Sequence, residues 1–189
     1  SHLAEQAAQS NIARLAMQDD LTGIANRRHF YRQAEAEFAH FHRSKQPLTL
    51  LMLDLDHFKR INDQYGHGVG DAVLIRFTQY VSTQIRQEDL LGRVGGEEFA
   101  ILLRDATIDQ AKTIGERIRE GVAQLPIFGG DDADRFTVSI GIATAEDADA
   151  SFDVLFGRAD KALYLAKQDG RNRVAIAAPV VSEGKGRNE

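Results

Sequence analysis

Residues 47–56 read Pro-Leu-Thr-Leu-Leu-Met-Leu-Asp-Leu-Asp, and this run limits the possible folds more than any other stretch of the chain. A near-continuous apolar segment of this length belongs to a strand buried on both faces, with helices above and below its sheet. The run ends in Asp54 and Asp56, as a central strand does where it emerges at a functional edge. Carboxylates placed after a buried run are costly unless they meet water, a partner or a metal. Side-chain alternation puts both on one face of the strand. In isolation the pair marks no more than an exit into solvent.

The surrounding pattern alternates between helix and strand. An Ala- and Gln-rich helix over 3–18 carries only a weak apolar stripe of Leu3, Ala7, Ile12 and Leu15. A helix over 27–43 follows, capped by Asn26, and a short one over 57–65 is closed by Gly66. The glycine-rich stretch 65–71 reads as a connection, with Asp71 as the cap of a helix over 71–85. Strands over 89–94 and 98–103 flank Gly95-Gly96, a hairpin signal whose tip calls for positive φ. A helix from Thr107, a strand over 135–144, a helix from Ser151 ended by Gly170 and a strand over 173–177 complete the order. This is an α/β (α+β) pattern, a central mixed sheet flanked by helices.

At 189 residues the chain makes one domain with short appendages. We divide it into a connector helix (1–18), a catalytic domain (19–177) and a flexible tail (178–189), the last residues being polar with two glycines. Cysteine is absent, so disulfides and the usual structural zinc sites are excluded. The sequence has no apolar run near the roughly 20 residues of a membrane span, which predicts no direct membrane contact for this segment. A net charge of −5 disfavours nucleic acid as a partner.

The hairpin changes the meaning of the carboxylate pair. Glu97 and Glu98 follow the glycines directly, and a turn has no structural use for two repelling charges. If the hairpin lies beside the first strand, Glu97 and Asp54 face each other and make a hard-cation site of the kind Mg²⁺ takes with phosphates. Lys59 follows the Asp pair. The segment 158–173 holds five basic and two acidic residues, including Lys167 and Arg171, in an otherwise acidic chain. A local cationic patch near such a site suggests a polyphosphate ligand, although the two residues also suit a helix C-terminus. Asn62 with Asp71 could read a base edge, since a carboxylate accepts from the N–H groups of guanine.

Together these residues resemble the GGDEF family of diguanylate cyclases. The likeness runs through 19–28 (DDLTGIANRR), 54–63 (DLDHFKRIND), 66–71 (GHGVGD), 93–99 (RVGGEEF), 138–142 (VSIGI) and 159–173 (ADKALYLAKQDGRNR). One such motif is weak, whereas this many in register is specific. Glu97 stands where the family signature has Asp, and Ile24-Ala25 replaces Leu-Pro.

The resemblance implies a palm-like nucleotidyl-cyclase fold with a ferredoxin-like core and a five-stranded sheet. It implies condensation of two GTP into cyclic di-GMP with release of two pyrophosphates. Each subunit of a homodimer would hold one GTP. Asp54, the Leu55 carbonyl and Glu97 would hold two Mg²⁺, or Mn²⁺. Glu97, or else Glu98, would assist deprotonation of the ribose 3′-OH, and Lys59 would stabilise charge at phosphorus. Lys167 and Arg171 would contact phosphates, and Asn62 and Asp71 guanine. His67, Phe58, Gly95 and Gly96 would lie near the nucleotide. Arg86-x-x-Asp89, five residues short of Gly95, resembles an inhibitory site for the product, with Arg117 as a further member. The resemblance also implies bacterial second-messenger signalling, a cytoplasmic location with anchoring of the parent at the inner membrane left open, and an upstream sensor domain. The rivals are a degenerate module that only senses GTP or cyclic di-GMP, a cyclase making cyclic GMP or a mixed dinucleotide, and an inert ferredoxin-like scaffold.

Overall fold

The computed structural model describes residues 1–127 and 134–180. Strand β1 (Leu48–Leu55) is buried along its whole length because it has a neighbour on either side and helices on both faces. It pairs antiparallel with the later strands β3 (Glu98–Arg104) and β4 (Val138–Thr144). β2 (Leu90–Arg93) adds to β3 as the expected antiparallel hairpin, and β5 (Val174–Ile176) adds to β4 in parallel. The sheet order is β2-β3-β1-β4-β5, a mixed five-stranded sheet.

Alternation along β1 divides the core in two. Leu51, Leu53 and Leu55 face α3 (Phe58–Tyr65), α4 (His67–Gln84) and α5 (Ile108–Val122) through Ile61, Phe77 and Ile118. Leu48, Leu50 and Met52 face α2 (Arg27–Ser44) and α6 (Phe152–Gln168) through Phe30, Phe38, Leu155 and Leu163. The caps read from sequence are in place. Asn26 accepts from His29 N at 2.9 Å, Ser151 from Val154 N at 3.4 Å, and Thr107 forms a capping box with Gln110. Gly141 of β4 sits under α6, where a Cβ would lie 2.2 Å from Leu163 N and 2.3 Å from Ala159 O. Only glycine permits this approach of helix to sheet.

Helix α1 (His2–Met17) buries no residue, and Leu3, Ile12 and Leu15 are exposed. Of the expected tail 178–189, Ala178 O accepts from Arg158 and Val180 N donates to Glu146 at 2.6 Å. The remainder, 181–189, lies outside the described residues.

Two expectations are corrected. The stretch 65–71 is not a connection between helices over most of its length, because α4 begins at His67 and Asp71 lies inside it rather than capping it. Gly70 serves helix packing, since a Cβ there would sit 1.9 Å from Asn62 Oδ1 of α3. Positive φ is confined to Gly66 in this stretch, at +90°. The hairpin tip also dispenses with positive φ at Gly95 and Gly96. Val94 N and Gly95 N both donate to Glu98 O, at 2.9 and 3.2 Å, closing the loop without a left-handed residue.

Candidate active site

The carboxyl end of β1 and the β2–β3 turn come together as the sequence suggests, with a shift of one residue. Asp54 lies directly opposite Glu98 in the register. Glu97 is one position nearer the tip, and its carbonyl accepts from Leu55 N at 3.2 Å. Asp54 has the alternation parity of Leu50 and Met52, so it points to the α6 side. There it forms an ion pair with Lys167.

Asp54 is 4% exposed, and its pKa is pushed up to about 6. Burial is the main cause. The Lys167 hydrogen bond and charge oppose it, while the charges of Glu97 and Glu98 add to it. One ammonium thus fails to balance the carboxylates gathered here. A hard cation would relieve the repulsion, so the donor set fits Mg²⁺ or Mn²⁺. Among the described residues no group of three or more His, Cys, Asp or Glu closes on one point. A cation here would take its other ligands from backbone carbonyl, water and phosphate, as Mg²⁺ commonly does.

The cationic side comes from the end of α6. Gly170, Arg171 and Asn172 have φ of +124°, +64° and +45°. A left-handed conformation costs most non-glycine residues about 1–2 kcal/mol, which is offset here by the helix-end bond from Arg171 N to Ala166 O at 3.0 Å together with contacts from outside α6. Asn172 N donates to Asp56 at 3.0 Å, and Asn172 Oδ1 accepts from Arg119 at 3.2 Å. Arg171 is left exposed beside this turn.

On the other side, Lys59, His67 and Asp71 are exposed and Asn62 is half-buried. The close seat of Gly70 on Asn62 brings Asp71, the next residue, to the same end of α3. Phe58, expected near the nucleotide, is a core residue at 9% exposure, packed with Ile61 on the inner face of α3.

Arg86, Asp89 and Arg117 line one cavity of about 450 Å³ together with Gln84, Ala106 and Ile114. The Asp89 carboxylate is committed to the backbone, accepting from Arg86 N at 2.9 Å and Arg104 N at 3.2 Å. Arg86 and Arg117 donate to the carbonyls of Arg104 and Gln84, at 2.7 and 2.6 Å. Arg86 and Arg117 are exposed at this cavity, while the Asp89 side chain is buried.

Sequence reasoning overlooked two roles. Arg93 donates twice to Gly96 O, at 3.0 and 2.7 Å, and reaches Asp19 at 3.2 Å, so it braces the turn that carries Glu97. Two neighbouring donors also lower the Asp19 pKa against its burial, the Thr22 hydroxyl and amide, with Arg93 adding to them. The second role is the satisfaction of Asp56 by neutral donors. Its signal was the second carboxylate after the buried run.

A mixed sheet with helices on both faces and an acidic edge at its central strand defines a nucleotidyl-cyclase palm. The family described as "Diguanylate cyclase, GGDEF domain" matches residues 16–173, and the chain belongs to that family. It is 44% identical to the diguanylate cyclase DgcM of Escherichia coli over 169 residues, 89% of this chain and 40% of that protein. It is 39% identical to the diguanylate cyclase DgcP of Pseudomonas aeruginosa over 94% of this chain and 25% of that protein. The chain therefore spans less than half the length of these relatives. The coiled coil and GGDEF domain of DgcB from Caulobacter crescentus, solved with c-di-GMP, superposes with a TM-score of 0.84 at 30% identity, covering 93% of this chain and 97% of that one. The active GGEEF domain of a diguanylate cyclase from Vibrio cholerae gives 0.78 at 36% identity, covering 82% and 97%.

Proposed function

We propose that the chain is a diguanylate cyclase domain that condenses two GTP into cyclic di-GMP and two pyrophosphates. The observation that carries this reading is the buried Asp54, set beside the Glu97–Glu98 turn and ion-paired with Lys167 at the end of α6. Asp54, the Leu55 carbonyl and Glu97 would hold Mg²⁺ or Mn²⁺, two ions per site. Such ions lower the pKa of a bound hydroxyl and neutralise a pyrophosphate leaving group.

This chain's own residues position and balance charge. Asn62 and Asp71 receive the guanine edge at the junction of α3 and α4, with His67 beside them. Lys167 is about one-third exposed and can turn from Asp54 to a phosphate, joined there by Arg171. Glu97, or Glu98 beside it, takes the proton of the ribose 3′-OH. The oxygen then forms a bond to the α-phosphorus of the second GTP, and the bond to the β-phosphate oxygen breaks. Lys59 offsets the charge that grows at phosphorus, and pyrophosphate leaves. The 3′-OH of the second nucleotide then attacks the α-phosphorus of the first in the same way, releasing the second pyrophosphate and closing the ring. One subunit presents one GTP, so two copies must face each other, which makes dimerisation a point of control. The Arg86, Asp89 and Arg117 cavity binds the product and inhibits. A sensor domain in the parent protein would set the dimer geometry. Among the described residues no helix is long and apolar enough to cross a membrane.

The test is mass spectrometry of products after incubation with Mg²⁺ and either GTP or ATP. Cyclic di-GMP from GTP alone is expected. Cyclic GMP, a mixed dinucleotide, or nucleotide binding without turnover by a dimeric sample would each overturn the proposal.

A further inference from the structure

Asp56 has no part in the reaction described above, yet it is 4% exposed and fully engaged. Its Oδ2 accepts from Thr137 Oγ1 at 2.7 Å and from Asn172 N at 3.0 Å, and its Oδ1 accepts from Ser139 Oγ at 2.6 Å. Its own N–H donates to Thr137 O at 2.9 Å. We infer that Asp56 is a positioning residue, which holds the left-handed turn at 170–172 and so aims Arg171 at the nucleotide phosphates. This rests on the GTP reading of the site.

Several elements converge on the turn. Asp56 ties Asn172 to the end of β1 and, through Thr137 and Ser139, to β4. Arg119 of α5 holds the Asn172 side chain. One helical turn earlier, Lys167 is tied to Asp54. The basic end of α6 is thereby fastened to the end of β1 by two carboxylates two residues apart. One of them meets an ammonium, the other a backbone amide. Arg171 at φ +64° occupies a conformation that most L residues leave when free to do so, whereas Asn172 at +45° is of a type that tolerates it. The Asn172 amide cannot reverse its role as the hydroxyls can, so it depends on an acceptor at position 56. A carboxylate accepts from all three donors at once. An asparagine there accepts from the amide and forces a hydroxyl to turn round. An alanine leaves the amide without its partner and lets the turn relax.

The test is a double-mutant cycle read by calorimetric binding of guanosine 5′-(α,β-methylene)triphosphate with Mg²⁺, an analogue that cannot react at its α,β bridge. Thermal unfolding confirms that each variant is folded. Loss of a charge-assisted contact predicts binding about tenfold weaker for Asp56→Ala and for Arg171→Ala. The double variant should bind no more weakly than Arg171→Ala alone, because Asp56 acts through that side chain. Asp56→Asn should recover most of the affinity. If Asp56→Ala does not fold, the same cycle with Asp56→Asn applies, and its smaller loss should vanish when Arg171 is absent. Wild-type affinity in Asp56→Ala, or losses that multiply in the double variant, would overturn the inference. Failure of the wild-type protein to bind the analogue would instead overturn the GTP reading itself.

Discussion

Asp54→Asn should stabilise the metal-free protein at neutral pH while removing a cation ligand. In the folded state Asp54 is displaced from 3.8 to about 6, burial being the largest cause, with Lys167 opposing and Glu97 and Glu98 adding. At about 1.4 kcal/mol per tenfold, that displacement is worth about 3 kcal/mol. Because the folded-state value is raised, the folded protein holds this proton more tightly than the unfolded chain. The resulting stability is fully present below about pH 3.8 and is lost as pH rises through about 6. Above that range the wild-type protein bears the whole cost of an ionised Asp54. Asparagine bears none, and Lys167, already part-exposed, can return to water. In EDTA at pH 7.5 the variant should therefore be more stable by up to about 3 kcal/mol, or about 6–12 °C in Tm for a chain of this size. At pH 4 the two curves should meet. Urea unfolding across pH 4–8 measures the difference, and added Mg²⁺ should raise the wild-type midpoint alone. A variant that is equal to or weaker than wild type at pH 7.5, or better by the same amount at pH 4, would refute the reasoning.

Further outcomes follow from the same geometry. Gly141→Ala drives a Cβ into the backbone of α6 and should cost about 3 kcal/mol or more in urea unfolding. Gly157→Ala, where a Cβ meets nothing within 4 Å, should gain about 0.4–1 kcal/mol. Arg86→Ala should raise the cyclic di-GMP concentration for half-inhibition by about tenfold, and an unchanged inhibition curve would remove this cavity from regulation. Specific activity should rise with protein concentration while dimers are scarce. Strict proportionality in a demonstrated monomer would contradict a shared site.

Much of this arrangement was legible because it depends on local chemistry. The buried run at 48–55 could only be a central strand, and Asn26, Thr107 and Ser151 cap their helices by contacts three residues away. The features that were not legible depend on distant partners. The stretch 66–71 reads as a loop because glycine usually signals one, whereas Gly70 is there to let α4 press on Asn62. In the register Asp54 stands opposite Glu98, with Glu97 one position nearer the tip, because the register depends on how Val94, Gly95 and Glu98 close the turn. Asp56 finds its donors 81, 83 and 116 residues away, which no local pattern announces. Phe58 follows the inner face of a short helix whose rotation the sequence leaves open.

The central claim is that carboxylates from two separate stretches of chain act together on GTP. Mg²⁺-dependent turnover of GTP by Glu97→Gln, measured beside wild type in samples of equal dimer content and equal Tm, tests it most directly. A fall by orders of magnitude with the fold intact is the expected result. Near-normal turnover would contradict it.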